Sequence, residues 1–283
     1  MQESRLITSE YVKTVIKERK RELHKGEAGR ILLIAGSVGM AGAAVLCSRG
    51  ALRAGAGLVT AAIPKELFEI LQISVPEVIC MPRTLSKLDL SRYDAIAIGP
   101  GLGDDAENEG IVEAVLAEYR KTVVLDADGL NTLARYDKVA LLKKSAAQVI
   151  ITPHVGEARR LLNMAESDLP GGRQEMVDKL AVLTGAIIVL KGAGSLVTSS
   201  NCCSYTNTTG NPGMATGGSG DVLTGIIAAL SGQGVSPLDA AKAGVFIHGL
   251  AGDIVAECMG EYGMTAGDIA ETTGLAIKRI LDK

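Results

Sequence analysis

The sequence predicts an α/β fold with a central, mostly parallel sheet and helices on both faces. Three observations predict it. Apolar runs of four to six residues recur from Ile31 onward, each closed by glycine or a polar turn. Between them lie stretches with the i, i+3, i+4 apolar spacing of helices. Aromatics make up only 3% and Trp is absent, so the core is built from Val, Ile, Leu and Ala. Short strands without polar alternation, each followed by a helix, are covered on both sides.

In chain order, residues 8–20 read as a charged amphipathic helix, with Lys17, Arg19, Lys20 and Arg21 on its solvated face. ILLIAG from Ile31 is a buried strand, and the small-residue stretch from Met40 is a helix. LVTAAI from Leu58 is a strand, KELFEILQ from Lys65 a helix and VICM from Val78 a short strand. DAIAIGPGLG from Asp94 is a strand ending in glycines, followed by a helix from Gly110. TVVLDADGLN from Thr122 is a strand turning into a short helix. VIITPHVGEARRLL from Val149 repeats that form, and a helix follows from Gly172. AIIVLKGAGSLVTS from Ala186 gives two strands around a tight turn. Three helices, from near Gly220, Pro237 and Thr265, end the chain. No internal repeat or linker interrupts the pattern, so residues 1–283 read as one domain, with 1–28 packing on its outside.

Composition excludes several classes. The net charge of −3 argues against phosphate-backbone binding, hence against nucleic acid as a partner. The cysteines, Cys47, Cys80, Cys202, Cys203 and Cys258, are odd in number and contain no CxxC pair, which suits reduced thiols in the cytoplasm. The N-terminus has no apolar signal region, and no apolar run approaches the ~18 residues of a membrane span. Walker, HExxH and GxSxG motifs are missing. GPGLG from Gly99 and GSVGMAG from Gly36 both lack dinucleotide-fingerprint spacing.

Ligands of a parallel sheet bind beyond the carboxyl ends of its strands. Five polar or glycine-rich segments fall there: Gly36-Ser37, Gly99–Gly103, Asp126–Asn131, Thr152–Glu157 and Lys191–Ser195. A sixth, Gly217-Gly218-Ser219-Gly220-Asp221, opens an apolar helix. Glycines at a helix N-terminus turn backbone N–H groups toward an anion, above all phosphate. Asp221 then either caps the helix or accepts a proton from a hydroxyl attacking a bound phosphoryl group. The helix N-terminus is expected to lower its pKa.

The late GxGD loop resembles that of the ribokinase-like superfamily. The ordered segments AGSVGMAGAAVL, IGPGLG, LDADGLN, TPHVGE, LKGAGSLV and NPGMATGGSGDVLTG narrow the resemblance to the ADP/ATP-dependent NAD(P)H-hydrate dehydratases. That resemblance implies a ribokinase-like fold. It implies phosphoryl transfer from ADP or ATP, with Mg2+, to the C6 hydroxyl of the S epimer of hydrated NADH or NADPH (NADHX or NADPHX), followed by phosphate loss. Some relatives carry an N-terminal epimerase domain; with about 28 residues ahead of Ile31, none is expected within this sequence.

The resemblance also implies roles. Asp221 is the catalytic base and touches substrate. Gly218 and Gly220 form the anion hole. Lys191, Gly192, Ala193, Gly194, Ser195 and Gly220 bind the nucleotide; the lesser alternative for Lys191 is an ordinary exposed strand end. Ala41, Gly103 and His154 line the substrate, although Ala41 and Gly103 also suit plain packing turns. Glu157 is expected to hold magnesium through water, or else to be an ordinary first-turn carboxylate. Asp126, Asp128 and Asn131 are expected to be structural or to order water. Asp104 and Asp105 are expected to face solvent, and His248 and Cys258 to lie in the core. A homo-oligomer, a tetramer, is expected. The alternatives are a ribokinase-like kinase of a small alcohol and a non-enzymatic nucleotide sensor.

Overall fold

The computed structural model describes residues 5–164, 172–200 and 202–282. In chain order the elements are β1 (Arg5–Ile7), α1 (Ser9–Val15), β2 (Arg30–Ile34), α2 (Ala41–Arg53), β3 (Leu58–Ile63), α3 (Phe68–Ser74), β4 (Ile79–Pro82), β5 (Ala95–Ile98), α4 (Glu107–Glu118), β6 (Thr122–Leu125), α5 (Ala127–Arg135) and α6 (Ala140–Lys144). They continue with β7 (Gln148–Ile151), α7 (Val155–Leu161), α8 (Arg173–Thr184), β8 (Ile187–Leu190), β9 (Leu196–Thr198), β10 (Tyr205–Asn207), α9 (Ser219–Gly232), α10 (Pro237–Met259) and α11 (Ala266–Asp282).

The strands form one sheet in the order β1-β10-β9-β8-β7-β6-β5-β2-β3-β4. Pairing is parallel except where β9 runs against β8 and β10. Alternation along each strand splits the core in two. Ile31 and Leu33 of β2 join one apolar cluster with α2, α9, α10 and α11. Leu32 and Ile34 join the other, with α4, α5, α7 and α8. Because both faces are covered, β2, β5 and β6 are apolar at nearly every position, which is why they were legible as unbroken runs.

Two features position the site. The chain leaves β2 toward β3 and β4, then returns to place β5 on β2's other side. The carboxyl ends of β2 and β5 therefore flank a topological switch point, where crevices open in such sheets. On one face, α2 and α9 cross in close contact: a side chain at Gly50 would strike the Val222 carbonyl, and one at Gly225 the Cys47 carbonyl. This interlock fixes the N-terminus of α9 against the sheet.

Three expectations need correction. The first helix stops at Val15, and Ile16 is already extended. Residues 17–21 are all charged and exposed, so no apolar face extends the helix beyond Ile16. Arg19 instead donates to the Gly55 carbonyl at the end of α2. Cys258 is exposed rather than buried, because α10 turns its last residues outward. The third, the pKa of Asp221, belongs to the site.

Candidate active site

The six segments meet along the carboxyl edge of the sheet. Asp126 directly follows β6 and is 1% exposed; Lys191 directly follows β8. The Lys191 Nζ donates to Asp126 Oδ1 at 2.6 Å and lies 3.7 Å from Glu157 Oε2. Burial works against the ammonium charge, but Asp126 and Glu157 outweigh it, and the Lys191 pKa is raised. Asp126 Oδ2 accepts from the Thr224 hydroxyl at 2.7 Å.

Gly218 precedes α9 with φ of 89°, a left-handed conformation that a side chain would strain. A β-carbon there would also collide with Leu46 of α2. The first amides of α9 have no intrahelical partner and present donors at the helix's positive end. A β-carbon at Gly220 would lie 3.3 Å from Lys191 Nζ and 3.7 Å from Asp126 Oδ2. The anion hole and the lysine are thus immediate neighbours.

Asp221 sits in the first turn of α9. Its pKa is pushed up to about 7, first by burial and then by the Asp126 charge. Lys191 opposes the shift, while Asp128 and Glu157 add to it. The lowering expected from the helix N-terminus is overridden, because a half-buried carboxylate among other carboxylates resists ionisation. Asp221 consequently exchanges its proton near neutral pH.

A cavity of about 630 Å³ opens beside this cluster, a size that suits a small-molecule ligand. His154, Lys191, Gly192, Ala193, Gly194, Ser195 and Gly220 all line it. Its far wall is the segment after β10, with Asn207, Thr209 and Met214, together with Val245 and His248 of α10. Asp253 of α10 holds this wall by accepting from Gly210 N at 2.9 Å and Asn211 Nδ2 at 3.0 Å. Arg173, at the start of α8, donates to the carbonyls of Leu190 and Ala193 and so braces the 191–195 turn.

His154 caps α7. Its Nδ1 accepts from the amides of Gly156 at 2.9 Å and Glu157 at 3.3 Å, while Glu157 Oε2 accepts from the His154 amide at 2.7 Å. With Nδ1 committed as an acceptor, the neutral ring carries its proton on Nε2. Glu157 is buried and already occupied by this capping box.

Ala41 and Gly103 lie outside the cavity, at the switch point after β2 and β5. Gly103 N donates to Asp128 Oδ2 at 2.8 Å. Asp128 Oδ1 accepts from Asn131 Nδ2 at 3.3 Å, and Asn131 Oδ1 accepts from Arg160 Nε at 3.0 Å. This relay ties the loop after β5 to α5 and α7. Asp221 feels the charges of Asp128, which holds the Gly103 amide, and of Lys191, which lines the cavity; its neighbours Ser219 and Gly220 line the cavity, and Asp221 itself does not.

Sequence reasoning missed three contributors. His248 is buried as expected but lines the cavity, with Nε2 3.2 Å from Ser219 Oγ and its pKa held down at about 4 by burial. Arg173 carried no signal beyond opening a helix. Asp253 lies inside an apolar helix, and that carboxylate among alanines and isoleucines was the available hint. Asp104 and Asp105 are exposed, as expected.

A glycine turn opening α9, a half-buried carboxylate with a raised pKa and a lysine beside a cavity of small-molecule size sit on an α/β protein of ribokinase-like fold. Residues 31–274 match the family model described as NAD(P)H-hydrate dehydratase, and the chain belongs to that family. It is 38% identical to the ADP-dependent (S)-NAD(P)H-hydrate dehydratase of Neisseria meningitidis, over 90% of this chain and 87% of that protein. It is 40% identical to the bifunctional NAD(P)H-hydrate repair enzyme Nnr of Moorella thermoacetica, over 94% of this chain and 52% of that protein. The chain thus spans about half the length of the first curated relatives it matches. The crystal structure of the Bacillus subtilis ADP/ATP-dependent NAD(P)H-hydrate dehydratase, co-crystallised with ATP/Mg2+, superposes with a TM-score of 0.88 at 30% identity. That match covers 99% of this chain and 100% of the other.

Proposed function

We propose that the chain catalyses the ADP- or ATP-dependent dehydration of the S epimer of hydrated NADH or NADPH. The observation that carries this reading is Asp221, a half-buried carboxylate with its pKa pushed up to about 7, in the first turn of α9 directly after the cavity-lining Ser219 and Gly220. The nucleotide occupies the cavity, its phosphates against Lys191–Ser195 and Gly220. The hydrated ring occupies the crevice near Ala41, Gly103 and His154, with the His154 Nε2–H as a donor.

The C6 hydroxyl oxygen attacks the terminal phosphorus, its proton passes to Asp221, and the bond from phosphorus to the nucleotide's bridging oxygen breaks. Amides at Gly218 and Gly220 hold the transferring oxygens, as preorganised donors do for developing charge. The ring nitrogen's lone pair then expels phosphate from C6, and loss of a proton from the neighbouring carbon restores the double bond. Phosphorylation is worth the detour. Hydroxide leaves with the pKa of water, about 15.7, whereas phosphate has a relevant pKa of about 6. The ceiling is ~13 kcal/mol at ~1.36 kcal/mol per unit. A third of it is ~4 kcal/mol, or roughly a thousandfold in rate.

Among the described residues no group of three or more His, Cys, Asp and Glu side chains forms a metal cage. The protein therefore suits magnesium delivered on the nucleotide's own phosphates, with Glu157 holding it through water. Bound there, the ion supplies charge neutralisation at the transferring group. Among the described residues no helix is long and apolar enough to cross a membrane. We place the enzyme in the cytoplasm, as a single ribokinase-like domain within a homo-oligomer, a tetramer.

The test is recovery of NADH absorbance from hydrated NADH with magnesium and either ADP or ATP, with Asp221→Asn alongside. Recovery that needs nucleotide and disappears in the variant supports the reading and identifies the phosphoryl donor. Folded protein that restores no NADH with either nucleotide sinks it.

A further inference from the structure

We propose that Asp126 is a positioning residue for this reaction, one carboxylate that holds Lys191 at the anion hole and, through Thr224, ties α9 to the end of β6. The proposal rests on the reading of Asp221 as the base.

The geometry is that of a strut. Asp126 is almost wholly buried, and its two oxygens go to two different elements: Oδ1 to Lys191 Nζ at 2.6 Å and Oδ2 to Thr224 Oγ1 at 2.7 Å. Thr224 lies three residues beyond Asp221 on α9, on the same helical face. Its own backbone is pinned as well, with Asp126 N donating to the Ile98 carbonyl at 3.1 Å and Gly129 N to the Asp126 carbonyl at 2.9 Å. Asp126 therefore locates β8's lysine and α9's catalytic turn relative to the middle of the sheet. Glu157, the second carboxylate near Lys191, is 3.7 Å away and serves the cap of α7, so it cannot replace the strut.

The strut also sets the field on the base. The charged and titratable groups that act on Asp221 or share its surroundings are Asp126 after β6, Asp128 on α5, Glu157 on α7, Lys191 after β8 and Cys47 on α2; His248 of α10 lies beyond Lys191. Asp126 acts most strongly of the carboxylates on Asp221, and Lys191 opposes them. Removing either partner leaves the other unbalanced, and the two removals act on Asp221 with opposite sign.

Carboxyl carbon NMR on aspartate-labelled free protein reads this directly, with the Asp221 resonance assigned by its loss in Asp221→Asn. Asp126→Asn should lower the Asp221 midpoint by about one pH unit or more. Lys191→Met should raise it, and Thr224→Val should leave it within a few tenths of a unit. The acid limb of the pH–rate profile should move with the NMR midpoint, and Asp126→Asn should raise the nucleotide KM at least about tenfold, as the loss of an oriented charged contact does. An unmoved midpoint in folded Asp126→Asn overturns the proposal. If that variant does not fold, Lys191→Met decides, since a lysine not held against Asp221 would leave its midpoint unchanged. The titration needs no turnover, so its failure is distinct from a failure of the dehydratase assay.

Discussion

Asp221 shows how one residue links stability to chemistry. Its pKa is raised from 3.8 to about 7, so the folded state binds more protons than the unfolded state between those values. Its favourable contribution is complete below about pH 4 and is lost as pH rises through 7. Asp221→Asn should therefore gain thermal stability over the wild type as pH rises, with a clearly larger margin at pH 8 than at pH 5. The ceiling is about 4 kcal/mol, three units at ~1.36 each. Melting temperatures at the two pH values check this, and a variant that is less stable at pH 8 contradicts the burial argument. In the same residue the wild-type activity should climb through pH 7 as the base ionises. His154 offers a second test. His154→Ala removes both the cap and the Nε2 donor, and should cost ~1 kcal/mol of stability and raise substrate KM. Asparagine restores a good cap without the donor, so His154→Asn should melt near the wild type yet keep the raised KM. Residue types and spacing made these two positions legible. The value of the Asp221 pKa was not legible, because it depends on Asp126 and Asp128, which arrive from the distant turn between β6 and α5.

At the scale of elements, the sequence was most readable where both faces of a strand are buried and least readable at the margins. β2, β3, β5, β6, β7 and β8 appear as apolar runs because nothing polar fits between the two cores. β1, β10 and α6 escaped notice: the strands have three residues each at or near the sheet edge, and α6 has five. No periodicity can be read over such lengths. The pairing of α2 with α9 was half legible, since both are rich in small residues, but only the fold shows that Gly50 and Gly225 are sites of backbone contact. Gly225→Ala should force the helices apart, cost ~1–3 kcal/mol as overpacking does, and depress kcat because α9 carries Asp221. Chemical denaturation beside a turnover assay separates this from a surface change, which would move neither.

The N-terminal segment and the cavity wall share a support in the described residues. β1 pairs with β10, and Lys242 of α10 lies over the rings of Tyr11 and Tyr205, 4.4 Å from each centroid, with Asp239 at 2.9 Å. The N-terminal segment is thereby fastened to the strand that leads into the cavity wall. None of this was visible in the sequence, where Lys242 and Tyr11 are more than two hundred residues apart. Strand order was equally hidden, and with it the switch point between β2 and β5. Since the cavity joins β8, the β10 wall, α9 and α10, a ligand filling it must stabilise the fold as a unit. At a hundredfold excess over Kd, nucleotide should add about 2.7 kcal/mol, or roughly 5 °C in melting temperature for a chain of this length. If magnesium enters on the phosphates rather than through a protein cage, metal alone should leave the melting temperature unchanged, while a chelator should remove most of the gain from nucleotide. A shift of several degrees with magnesium alone would contradict that arrangement and point to a metal site formed by the protein itself.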